Sequence, residues 1–199
     1  MNTTHKTGDL LAVAAAHALP VVRNLPDDRL GARTPCAEYD VRALVNHLFH
    51  VVVQFQELAA KRNADFGGDT PDYVAEGDDW RERFAAETER LVAAWSAPGA
   101  DEGTTGAMSM PARTVGSMVL LDLTVHAWDL ARASGQEYGT GEAPASGVPD
   151  VVDTLRAAVA DLGPTARAMG VFGEPVPVRE DASDFDRLLA ATGRDPYWS

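Results

Sequence analysis

The chain has 199 residues, 45% hydrophobic and 24% charged, which is the composition of a globular domain and excludes wholesale disorder or a fibrous repeat. Acidic residues outnumber basic ones by 30 to 17, giving a formal net charge of −13, so a polyanion would be repelled over most of the surface and nucleic acid is not an expected partner. The single cysteine, Cys36, excludes an intrachain disulfide framework and any cysteine-rich zinc cluster, leaving His and carboxylates as the metal-ligating groups.

Leu10, Val13, Ala14, His17 and Val21 recur with helical spacing. The apolar run from Leu10 to Ala18 is therefore read as part of an amphipathic first helix, from about Asp9 to Arg23, and not as a signal-peptide core. No apolar stretch approaches the roughly 20 residues of a bilayer span, so a cytoplasmic protein without a membrane partner is expected. Pro26 and Thr34-Pro35-Cys36 mark a connecting loop. Asp40 is a good N-cap for a second helix, in which Val41, Leu44, Val45, Leu48, Val52 and Phe55 follow the rhythm of one buried face. That helix is expected to end near Asn63, before Gly67-Gly68. Trp80, Phe84, Leu91, Val92 and Trp95 form the stripe of a third helix, stopped by Pro98 and Gly99.

The Gly- and Thr-rich stretch from Gly99 to Arg113 reads as a loop with a short extended piece at Ala107–Met110, and as a candidate pocket wall. Val115 to Ala133 is apolar around most of a helical circumference and should be the most buried helix, with Gly135 as its C-cap. Glycines and prolines crowd the linker from Gly135 to Pro149 before a helix at about Asp150 to Leu162. After Pro175 and Pro177, Phe185, Leu188 and Leu189 indicate a short terminal helix that Gly193 ends. The fold class is all-α: a four-helix bundle over residues 1–135, with residues 136–199 packed on it as a C-terminal helical extension of a single domain.

At about 100° per residue, Asp122, His126 and Asp129 fall within an arc of about 60° on the buried helix, among Val115, Met118, Val119 and Leu130. An unpartnered buried carboxylate costs several kcal/mol, so a paired charge or a metal is the expected compensation. Asp122 and His126, four residues apart, can ligate one ion. On helix two, His47 projects to the margin of the apolar face while His50 points to the opposite side. His47, Asp122 and His126 would make a three-ligand site, which for zinc leaves a fourth position open to water or substrate; nickel or iron would also suit two imidazoles and a carboxylate. Asp129 is better placed to support a ligand than to be one. Two other readings stay open: a hydrogen-bonded Asp122–His126 pair without metal, and a metal that only braces the helices of a non-catalytic or ligand-sensing bundle. His17 is read as a core histidine, and Cys36 as a small buried hydrophobe without a catalytic role.

Three segments carry a resemblance: Thr34-Pro-Cys-Ala-Glu-Tyr-Asp-Val-Arg-Ala-Leu-Val-Asn-His47, Asp122-Leu-Thr-Val-His-Ala-Trp-Asp-Leu-Ala-Arg-Ala-Ser-Gly135 and Gly193-Arg-Asp-Pro-Tyr-Trp198. Together they resemble the actinobacterial metal-binding relatives of the mycothiol-dependent maleylpyruvate isomerase N-terminal domain, within the wider DinB-like superfamily. The resemblance implies a four-helix bundle in which His47, Asp122 and His126 match the metal-binding positions. It also implies chemistry in which a low-molecular-weight thiol, mycothiol, is activated as thiolate on the metal and attacks an electrophilic small molecule, as in a thiol transferase or isomerase. The isomerase itself carries a larger C-terminal domain than the residues after Gly135 can supply. Exposed apolar surface could support a homodimer, at no position the sequence identifies.

Overall fold

The computed structural model describes residues 5–107, 109–139 and 150–199. Six α-helices lie in these residues: α1 Thr7–Arg23, α2 Val41–Ala59, α3 Trp80–Ser96, α4 Ala112–Ser134, α5 Val151–Ala168 and α6 Asp184–Ala191. A two-residue strand pair, β1 Thr104–Thr105 with antiparallel β2 Met110–Pro111, precedes α4. Helix α1 packs on α3 and α4, and α2 packs on the same two, which closes a four-helix bundle; α5 and α6 pack on each other, with α5 laid against α4. This is the all-α, DinB-like bundle with C-terminal helices that the sequence leads one to expect. No helix among the described residues is long and apolar enough to cross a membrane.

The periodic residues do what their spacing demands. Val41, Leu44, Val45, Leu48, Val52 and Phe55 are all buried, as are Trp80, Phe84, Leu91 and Trp95. Asp40 caps α2 by accepting from the Ala43 amide at 2.8 Å. Helix α4 is buried around most of its circumference, from Val115 to Ala133, so it is the central strut on which the site is mounted.

Three boundaries differ from expectation, each for a tertiary reason. Helix α2 stops at Ala59 because Lys61 turns left-handed, with φ 62°, and is held there by its ammonium donating to the carbonyls of Ala100 and Glu102 at 2.7 Å each. Helix α5 continues through Gly163-Pro164 to Ala168. Pro164 and Ala160 both face solvent, so the carbonyl that the proline leaves without a donor is open to water. Of the expected extended piece Ala107–Met110, residue 108 lies outside the described residues and Met110 belongs to β2; the extended residues are the β1–β2 pair, tied down by the Thr105 hydroxyl donating to the Leu58 carbonyl. This segment packs at the C-terminal end of α2, away from His47. Of the Gly/Pro-rich linker from Gly135 to Pro149, residues 140–149 lie outside the described residues.

Candidate metal centre

The turn before α2 is knotted by Thr34, whose hydroxyl lies 2.8 Å from both the Cys36 and Tyr39 carbonyls. It delivers Tyr39 and Cys36 to the same region as His47, on the second turn of α2. Tyr39 stacks on the His47 ring at 5.1 Å with an interplanar angle of 19°, and His47 meets the His126 ring edge-on at 5.1 Å and 87°. Helix α4 supplies Asp122, His126 and Asp129 from one stripe. One donor atom each from His47, Asp122 and His126 lies within 4.8 Å of the others.

Each group has a distinct electrostatic state. His126 is buried, and its Nδ1 lies 3.0 Å from Asp129 Oδ2. A carboxylate only accepts, so Nδ1 carries a proton, and Nε2, facing Asp122, is the nitrogen available to a cation. The gap from Nε2 to Asp122 Oδ1 is 3.8 Å, too long for a hydrogen bond. Burial, reinforced by His126, His50 and Arg194, pushes the His47 pKa down to about 4, so its imidazole is neutral at pH 7. The Asp122 side chain is 32% exposed, yet the confined cavity still pushes its carboxyl pKa up, against the pull of His126 and Arg194. Asp129 is fully buried; its Oδ2 also faces the Arg194 guanidinium at 3.4 Å, while Oδ1 has no hydrogen-bond partner among the described residues.

The donor set suits a divalent cation. With ligand bonds of roughly 2.0–2.2 Å at tetrahedral angles, donors around one ion lie about 3.3–3.6 Å apart, so donor atoms within 4.8 Å of one another would close on an ion with side-chain shifts of up to about an ångström each. Two neutral imidazole nitrogens and one carboxylate then supply the ligands, and Asp129 fixes the His126 tautomer, as carboxylates commonly do for metal-binding histidines.

The three groups open on a cavity of about 250 Å³. Its far wall comes from the C-terminal extension: Gly170 to Phe172, just after α5, and Thr192 and Arg194, just after α6. Gly193 makes that return possible. Its φ is 88°, and a Cβ there would sit 2.6 Å from the Gly173 Cα, so only glycine lets the chain turn this tightly and send Arg194 inward. No described residue of the Gly99–Arg113 stretch lines this cavity; the C-terminal return supplies its far wall instead.

Sequence reasoning missed Cys36 and Arg194 as pocket residues. The Cys36 thiol lies within 4.8 Å of donor atoms of His126 and Asp129, and burial pushes its pKa up, which keeps it protonated. The signal for Arg194 was present in the Gly193-Arg-Asp-Pro-Tyr-Trp198 segment, without an indication of what it would face. His50 and His17 lie elsewhere: His50 hydrogen-bonds Tyr73 and the Asp65 carbonyl, and His17 sits 6.1 Å from the Tyr138 ring.

Uncharacterised proteins from two strains of Mycobacterium tuberculosis are each 29% identical to this chain over 180 residues, covering 87% of it and 90% of their own length. No solved structure matches it significantly. The sequence profile of the mycothiol maleylpyruvate isomerase N-terminal domain matches residues 11–131, a span that contains His47, Asp122, His126 and Asp129 but not Arg194. With more than half of its length so matched, the chain belongs to the mycothiol maleylpyruvate isomerase N-terminal domain family.

Proposed function

We propose that the protein is a divalent-metal enzyme that uses a low-molecular-weight thiol, mycothiol, to transfer to or isomerise an electrophilic small molecule. His47, Asp122 and His126 are the metal ligands, and Asp129 orients His126. The observation that carries this reading is the convergence of two imidazoles and a carboxylate, within 4.8 Å of one another, on the wall of an open cavity. Zinc fits such a donor set best, with nickel and iron as alternatives.

A divalent ion held there supplies Lewis acidity that keeps a bound thiol deprotonated at neutral pH. The protein's own groups prepare for it. His47 needs to lose no proton to bind a cation at pH 7, and His126 presents Nε2 because Asp129 holds the other nitrogen's proton. Tyr39 and the 170–172 segment narrow access, so that a small thiol and a small electrophile meet in a confined volume. The cytoplasm, which keeps thiols reduced, is the compartment this chemistry requires.

The test is elemental analysis of protein purified without affinity tag or chelator, wild type beside His47→Ala and His126→Ala, followed by thiol titration and thiol consumption with electrophilic substrates. Near-stoichiometric metal that both substitutions abolish, with thiol consumed faster by wild type than by His126→Ala, is the expected result. A folded wild type that refuses added zinc, nickel and iron would overturn the reading. Metal without any thiol binding or turnover would reduce it to a brace between α2 and α4.

A further inference from the structure

A second cavity, of about 300 Å³, lies between α5 and α6 and shares no lining residue with the cavity at the metal centre. Arg156 and Arg167 stand 11 residues apart on α5, which places them within about 20° of each other around the helix and at the two ends of one stripe. Val159 lies between them, and from α6 come Arg187 and Leu188. Val159 and Leu188 are buried, so the floor is apolar while the rim is cationic. Three guanidinium groups and no carboxylate line this cavity, in a chain whose formal net charge is −13.

The three cations are not equally neutralised. Arg156 pairs with Asp184 at 2.8 Å. Arg167 instead donates to the Ala191 carbonyl at 3.3 Å and Arg187 to the Glu180 carbonyl at 2.6 Å, and neither forms an ion pair among the described residues. A carbonyl positions a guanidinium without cancelling its charge, and each arginine carries five N–H donors, most of which have no hydrogen-bond partner among the described residues. Arg167 is set into the cavity by its own helix: a Cβ on Gly163 would lie 3.2 Å from its two terminal nitrogens, so the guanidinium occupies the space a side chain there would take.

We propose that this groove binds a small amphiphilic organic anion, a carboxylate on a compact apolar body. The guanidinium groups of Arg167 and Arg187 grip the carboxylate through their planar forks, and the apolar part covers Val159 and Leu188. A bare inorganic anion would satisfy the rim and leave the floor wet.

The test is a titration of isotopically labelled full-length protein with hexanoate and benzoate, followed by amide chemical shifts, with hexanol and inorganic phosphate as controls. Saturable shifts confined to α5 and α6 are expected, with at least tenfold weaker binding of hexanol and of phosphate. An Arg167→Gln/Arg187→Gln variant should lose at least tenfold in hexanoate affinity. Because Arg167 also bonds the end of α6, the single variants Arg187→Gln and Arg187→Lys are measured beside it; the lysine variant, which keeps the charge and loses the fork, should fall between wild type and Arg187→Gln. Absence of saturation, equal binding of hexanol or phosphate, undiminished binding in Arg187→Gln, or shifts centred on His47 would each overturn the proposal.

Discussion

His47 and His50 stand three residues apart on α2, and the protein treats them oppositely. Both ring nitrogens of His50 are occupied: Nδ1 lies 3.1 Å from the Tyr73 hydroxyl and Nε2 lies 3.0 Å from the Asp65 carbonyl. Since a carbonyl only accepts, Nε2 carries the proton, and Nδ1 accepts from tyrosine. His47 makes no hydrogen bond among the described residues; its ring is held by its faces and edges, between Tyr39 and His126. A histidine that holds structure together spends its nitrogens, whereas a candidate ligand is clamped by packing and keeps a lone pair open to a cavity.

The most damaging test of this contrast is metal affinity. His47→Ala should lower zinc affinity more than about 100-fold, since even changes to the groups that orient a ligand cost 10–100-fold. His50→Ala should leave it within about a factor of two. Calorimetric titration of apo-protein reads both, and equal losses in the two variants would erase the distinction between the histidines.

The second test uses pH. Above about pH 6.5, His47 is neutral in both the folded and the unfolded chain and contributes no slope. Between there and its folded pKa of about 4, the unfolded chain binds a proton that the folded one refuses, so stability falls with falling pH. The full difference is worth up to about 3 kcal/mol in metal-free protein. Urea unfolding of chelator-treated wild type and His47→Gln at pH 7 and 4.5 should show the glutamine variant losing less stability by most of that amount. Parallel losses would mean that the folded protein holds no neutral His47.

Asp129 separates orientation from ligation. Replacing it by Asn keeps an acceptor for the His126 Nδ1–H but removes the charge and weakens the tie to Arg194. Zinc affinity should fall 10–100-fold, with stoichiometry kept at saturating metal. Loss of stoichiometry even at saturation would instead make Asp129 a ligand.

Much of this arrangement is legible in the sequence because it is local. The stripe of Asp122, His126 and Asp129 among aliphatics, the Asp40 cap and the buried faces of α2 and α3 all follow from periodicity within one helix. The rest depends on contacts between distant segments. Arg194 meets Asp129 from 65 positions away, and only the return after α6 brings it there. Cys36 reads as a small hydrophobe until the Thr34 turn is seen to carry it beside His126. The Gly99–Arg113 loop has the composition of a pocket wall, but the anchoring of Thr105 to Leu58 and of Lys61 to Ala100 commits it to the far end of α2. Glycine content marks a turn without saying which elements the turn will face.

The smallest effect is expected where the contrast began. His50 links α2 to the 65–73 segment through two hydrogen bonds, and its ring is partly exposed, so water can replace what a substitution removes. His50→Ala should therefore cost about 1–2 kcal/mol in urea unfolding, the sum of two net hydrogen bonds of ordinary strength. Tyr73→Phe should cost about half as much, because it removes only the bond at Nδ1 and keeps the stacking of the ring on Phe49, 4.3 Å away. The cost should be the same with and without zinc, since neither bond touches the cavity. A His50 variant whose penalty grows on adding metal would show that the two histidines are coupled through α2, and that the nitrogens spent on structure also hold the metal centre in register.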